Sequence, residues 1–229
     1  MKTIHIRALS AALAIFTLAG GAAAQTTAPT VLSSLEVQQL VKRAEPADHA
    51  RLAAHFAALS DRYVTEARRH TAMAQAFIAS PARRTAVNAA ADHCKRLAAL
   101  NTQSVTTLRE LAAHHEKLAG GTPSTAPRDS ARFEGGAGAP KPSDQDLEAL
   151  AGKASTPADH RALEEYFRTA AKRYTTEANE HVAMAQAYRG TRIASAAAHC
   201  DRLTSLSRDE AKEATAAADI HKQLAGVAR

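Results

Sequence analysis

The sequence predicts an all-α protein made of two duplicated antiparallel helical hairpins, each with a short lead-in helix. Three observations carry this. Alanine dominates beside leucine and charged helix formers, while tryptophan is absent and aromatics are 4% of residues. That composition favours helix and leaves little to pattern a sheet. Apolar residues recur at alternating spacings of three and four over stretches of about thirty residues, the period of one helix face. The octet HTAMAQAF from His70 returns as HVAMAQAY from His181, the sign of an internal repeat.

The first element, residues 1–24, reads as a signal peptide. Lys2 and Arg7 form a positive start, an apolar run spans Ala8 to Ala19, and Ala22-Ala23-Ala24 precedes Gln25 as an A-x-A cleavage signal. The run is too short for a good membrane span, and no cysteine follows the cleavage point to carry a lipid. The expectation is a periplasmic or secreted protein with no stable membrane insertion after cleavage. Residues 25–33 read as a disordered leader. Loss of Lys2 and Arg7 takes the formal net charge from +6 to +4 (6 − 2). The charges are interspersed along helical faces, which predicts a solvated surface and no nucleic-acid partner.

Repeat one covers 34–120. A lead-in helix is predicted over 34–44, and a first long helix from Pro46, where proline suits the first turn, to about Ile78. Ser80-Pro81 breaks it, and a second long helix runs to Gly120, a C-cap candidate. Residues 121–144, GTPSTAPRDSARFEGGAGAPKPSD, lack an apolar period and read as a linker. Repeat two covers 145–229. Its lead-in helix is 145–153, its first long helix runs from Pro157 to about Tyr188 with Thr156 and Asp159 resembling a capping box, and its second runs from beyond Gly190 to Gly226.

The copies align at an offset of 111 with 17 identities in 32 positions over 46–77. A five-residue deletion then shifts the offset to 106, matching DHCKRLAAL from Asp92 with AHCDRLTSL from Ala198. On the first long helix, positions 49, 52, 56, 59, 63, 66, 70, 73 and 77 form a heptad seam. On the second, His93, Leu97, Leu100, Leu108, Leu111, His115 and Leu118 share a stripe. Two such stripes joined by a short turn make a hairpin. Two hairpins either close a four-helix bundle or stand as linked coiled-coil modules.

Facing residues of an antiparallel hairpin have a nearly constant index sum. His70 with His93 gives 163 and His49 with His115 gives 164; His181 with His199 gives 380 and His160 with His221 gives 381. The histidines are therefore expected to meet in pairs, two per hairpin, about 32 Å apart along its axis. Eight of the ten histidines beyond residue 24 fall in matched positions, as do both methionines and both cysteines there. Helix packing needs leucine or alanine at such places, and a seam imidazole carries a desolvation cost unless it finds a partner. The main candidate metal ligands are Glu66, His70, Met73, His93 and Cys94 in repeat one, and Glu177, His181, Met184, His199 and Cys200 in repeat two. His49, His115, His160 and His221 are secondary candidates, two histidines making a thin coordination sphere. Imidazole suits zinc and copper, and sulfur shifts preference toward copper(I).

Cys94 points about 100° away from His93 on its helix. Three fates stay open for the cysteines: a Cys94–Cys200 disulfide between hairpins, thiolate ligation, or free thiols. No phosphate loop, nucleophile elbow or Ser-His-Asp arrangement is present, and the acids are too few for a ferritin-like site, so no enzyme is expected. The leading expectation is a metal-binding bundle that buffers, carries or senses copper or zinc. The alternative is a structural module that self-associates or pairs with an envelope protein, and a bis-histidine haem protein is the weaker third. His55 and His114, unmatched between the copies, are expected at the surface.

Overall fold

The computed structural model describes residues 31–80, 85–120 and 143–227. The expected signal peptide, most of the expected leader and nearly all of the expected linker lie outside the described residues. Six helices occur in order: α1 (Ser34–Arg43), α2 (Pro46–Ala79), α3 (Thr85–Leu118), α4 (Asp144–Lys153), α5 (Pro157–Arg189) and α6 (Ala196–Val227). No strand occurs among the described residues, so the fold is all-α.

Local chemistry sets the boundaries. Ser33 caps α1 by accepting from the Glu36 N–H at 3.3 Å, and Glu36 accepts from the Ser33 N–H at 2.8 Å. Ser143 and Asp146 repeat this box at α4 with 3.1 and 3.0 Å, which starts α4 at Asp144, one residue before the expected position. The reciprocal bonds satisfy two backbone donors that the first turn leaves orphaned. Thr156 and Asp159 form the box expected at α5, with 3.2 and 3.0 Å. Gly120 lies just past α3 at φ +81°, a left-handed conformation that glycine adopts without a Cβ clash. Gly226 is not a terminator, because α6 continues through it to Val227.

α2 lies against α3, α5 against α6, and α3 against α6. The partners run antiparallel. His49 at the start of α2 meets His115 at the end of α3, and His160 at the start of α5 meets His221 at the end of α6. α3 and α6 are also opposed, since His93 reaches Glu213 and His199 approaches Glu110. The lead-in helices cross over: α1 touches α5 as well as α2, and α4 touches α2 as well as α5. All nine seam positions of α2 are buried, from His49 to Phe77. Six of them, Leu52, Phe56, Leu59, Tyr63, Met73 and Phe77, join the matching residues of α5 in one apolar core. Each large apolar side chain so buried contributes roughly 1.5–3 kcal/mol.

Candidate functional site

The molecule carries two buried imidazole pairs. His49 Nδ1 and His115 Nδ1 stand 3.1 Å apart, and His160 Nδ1 and His221 Nδ1 stand 3.3 Å apart. The ring centroids are 5.2 and 5.5 Å apart, which leaves no slot for a porphyrin plane between them. One nitrogen of each pair must donate a hydrogen and the other must accept it.

Aromatic rings wall both pairs. Phe56 stacks on His115 and Phe167 on His221, each at 5.7 Å. A third wall differs between the ends. Tyr188 places its hydroxyl 2.8 Å from His115 Nε2. The matched residue at the other end is Phe77, whose ring lies 5.4 Å from His221, and His221 Nε2 has no partner. Burial pushes the His115 and His221 imidazoles down to about 3, and the neighbouring histidine of each pair pushes the same way. Burial also lowers His49 against a weaker pull from Asp48. His49, His115 and His221 are uncharged at neutral pH.

The histidines of the repeated octet do something else. His70 is fully buried and crosses to the other half of the molecule. Its ring stacks on Phe167 at 6.4 Å, lies beside Tyr166 at 6.3 Å, and brings Nε2 to 3.5 Å from the Tyr174 hydroxyl. His181 is buried in turn, close enough to Arg62 and His55 to feel their charge. Burial, then those two groups, pushes it down to about 3. His93 turns instead toward α6, where Nδ1 lies 2.6 Å from Glu213 and Arg96 joins the same carboxylate at 2.8 Å. His199 is half-exposed, with Nδ1 3.6 Å from Glu110. The expected meetings of His70 with His93 and of His181 with His199 therefore give way to other partners. The reason is that α3 and α6 each have two helical neighbours, and their turn-proximal histidines face the second one.

Met73 and Met184 are buried core residues. Cys94 and Cys200 are free, buried thiols, and burial pushes both up to about 12. The disulfide alternative is overturned by the direction of the helices. Cys94 adjoins His93 at the level of Glu213, and Glu213 is thirteen residues, or about 20 Å, along α6 from Cys200. A disulfide needs Cα atoms within about 7 Å.

Glu66 and Glu177 sit in matched ion pairs across α2 and α5. Arg173 donates to Glu66 and Arg62 to Glu177, each at 2.7 Å. Arg69 adds a bond to Glu66 at 2.9 Å, and the Tyr63 hydroxyl adds one to Glu177 at 2.6 Å. Burial alone would raise the Glu66 carboxyl, yet Arg173 and then Arg69 hold it at about 2. Both oxygens of Glu177 are thus engaged, whereas both arginine bonds to Glu66 fall on Oε1 and its buried Oε2 has no partner.

Sequence reasoning missed several polar groups. Glu210 is fully buried, accepts from the Ser104 hydroxyl at 3.1 Å, and has a second oxygen without a partner. Burial first, then Glu177, pushes its carboxyl well above the usual range. Its aligned position in repeat one is Ser104, so weighting by the repeat passed over it. His55 is buried and accepts from the Leu32 N–H at 3.0 Å, and His114 is half-buried, correcting the expectation that both lie at the surface.

Among the described residues no group of three or more His, Cys, Asp or Glu side chains is placed to hold a metal ion. No described helix is long and apolar enough to cross a membrane. No family model, curated protein or solved structure matches this chain.

Proposed function

We propose that this chain is an exported, non-enzymatic protein in which two duplicated hairpins close into a four-helix bundle. It binds a transition metal, copper before zinc, through the imidazole pairs at its two ends, and buffers, carries or senses that ion in the periplasm or beyond. One observation carries the reading: two histidines from separate helices face each other nitrogen to nitrogen in a buried nest, and the same arrangement is built twice. An imidazole pair at a core position costs desolvation that leucine would not, and neutral ring nitrogens are good ligands for copper and zinc. Metal uptake by the apo protein tests it. His115→Phe with His221→Phe should abolish near-stoichiometric uptake, whereas His70→Phe with His181→Phe should leave it in place. Unchanged uptake in the first double variant would sink the assignment.

A second reading has its own support. His70 of the first octet stacks on Phe167 and lies beside Tyr166 of the opposite half, a packing arrangement that needs no ligand. In that reading the protein is a structural module that self-associates or pairs with an envelope protein. No metal would be retained after isolation, and sedimentation equilibrium would show an oligomer that grows with concentration.

A further inference from the structure

Each end pair departs from an ordinary transition-metal site in donor number, available charge and surroundings. It offers two nitrogens. The acid next to His49 is Asp48, which Arg43 already engages through both Nε and Nη2. The acid next to His160 is Asp159, which accepts from the Thr156 and Ser155 N–H groups at 3.0 and 3.1 Å. Among the described residues the other ring walls are Phe56, Tyr188 and His114, edge-on to His115 at 5.6 Å, at one end, and Phe167 and Phe77 at the other. An ion entering such a nest loses its water and gains no anion. The self-energy of a buried ion grows with the square of its charge, so a divalent ion pays about four times what a monovalent ion pays. Zinc also seeks four ligands. A closed-shell d10 monovalent ion is content with two nitrogens in a line. At metal–nitrogen bonds of about 2 Å the two nitrogens would sit about 4 Å apart. Pairs now at 3.1 and 3.3 Å would open by less than about 1 Å, within the reach of side-chain torsions.

We infer that His49 with His115, and His160 with His221, are two-coordinate sites for a monovalent d10 ion, Cu(I) in its native setting and Ag(I) as the air-stable equivalent. The inference rests on the metal-binding reading above and narrows it to one class of ion. Binding involves no redox change and no net proton release. The hydrogen between the two Nδ1 atoms moves to Nε2 of the ring that carried it, each Nδ1 gives its lone pair to the ion, and the site gains one positive charge.

The two ends are unequal in this reaction. At the first, the Tyr188 hydroxyl stands 2.8 Å from His115 Nε2, where its oxygen can accept an Nε2–H; that tautomer exposes the His115 Nδ1 lone pair, so only His49 has to change. At the second, Phe77 offers no acceptor and His221 Nε2 is unpartnered. The first end is therefore the tighter site. A hydrogen bond that orients a ligating histidine is typically worth ten- to a hundredfold in metal affinity.

The test is a titration of the full chain with Ag(I) nitrate in chloride-free buffer, and in parallel with Zn(II). Native mass spectrometry and long-range proton–nitrogen spectra of the imidazoles are the readouts. About two Ag(I) per chain are expected, one per pair, with the Nδ1 resonances of His49, His115, His160 and His221 moving and Zn(II) leaving them in place. The chain with Cys94→Ala and Cys200→Ala should keep both ions. Tyr188→Phe should weaken the first site roughly tenfold, and Phe77→Tyr should strengthen the second. Zn(II) bound at these nitrogens with Ag(I) excluded would overturn the ion class and leave the metal reading standing. Neither ion moving the resonances would end both. Ag(I) lost from the cysteine variant would place the ion on the thiols and overturn the inference. The spectra are read on the unaltered chain, so a variant that fails to fold does not blunt the result.

Discussion

Tyr63 and Tyr174 hold matched positions, yet their hydroxyls have different partners. Tyr63 donates to the Glu177 carboxylate at 2.6 Å, while Tyr174 accepts from the Asn101 side chain at 3.2 Å. The difference follows from the neighbouring helix. Asn101 is long enough to reach Tyr174, and its counterpart Ser207 is too short, leaving a buried hydroxyl without a partner. A bond to a charged acceptor is worth about 1.5–3 kcal/mol and a neutral one about 1 kcal/mol. Tyr63→Phe should therefore lower the urea midpoint more than Tyr174→Phe does. Equal effects would mean that Glu177 is sufficiently held by Arg62 alone. At this scale the sequence was legible only in part. The repeat flagged Glu66, Glu177 and the histidines, but not which partner each would choose, because partner choice depends on rotations of about 100° per residue between helices whose mutual orientation no spacing encodes.

Whole helices were more legible. The heptad seam from His49 to Phe77 marked the buried face of α2 at every position, and the end pairs follow from the index sums. The stripe assigned to α3 was too simple. Leu100 is half-buried and Leu118 is 37% exposed, while Asn101, Ser104 and Thr107 are fully buried. A helix pressed between α2 and α6 buries two faces, so a single stripe misstates it. The lead-in helices are core elements as well. Val37, Leu40 and Val41 of α1 are buried, where α1 touches both α2 and α5. Leu40→Ala should cost about 2–5 kcal/mol, as for other buried leucines, measured by urea denaturation. A loss below about 0.5 kcal/mol, the size of an ordinary surface change, would show that α1 is a loose appendage.

Across the whole molecule, burial of imidazoles sets the response to acid. Burial is the leading cause that lowers His49, His55, His70, His114, His115, His181 and His221, with His55 and His70 at about 4 and His115, His181 and His221 at about 3. Each binds its proton more readily in the unfolded chain, near pH 6.5. Their contribution to stability is complete above that value and is lost as pH falls toward 3–4. Glu180 and Glu210, raised first by burial, act in the opposite sense above their ordinary range near 4.5. Glu66, held at about 2, contributes a loss only below that range. Between pH 6.5 and 4.5 seven histidines outweigh two glutamates. The urea midpoint should fall steadily from pH 7 to pH 5, with net proton uptake on unfolding; a flat midpoint across that interval would contradict the burial of these rings. The all-α architecture was plain from composition and period. The placement of Cys94 and Cys200 at different levels was not, since it depends on α3 and α6 running in opposite directions.

The crossing of α1 onto α5 and of α4 onto α2 makes each half the other's missing wall. Either half alone would leave its arm with one support gone and part of its seam open to water.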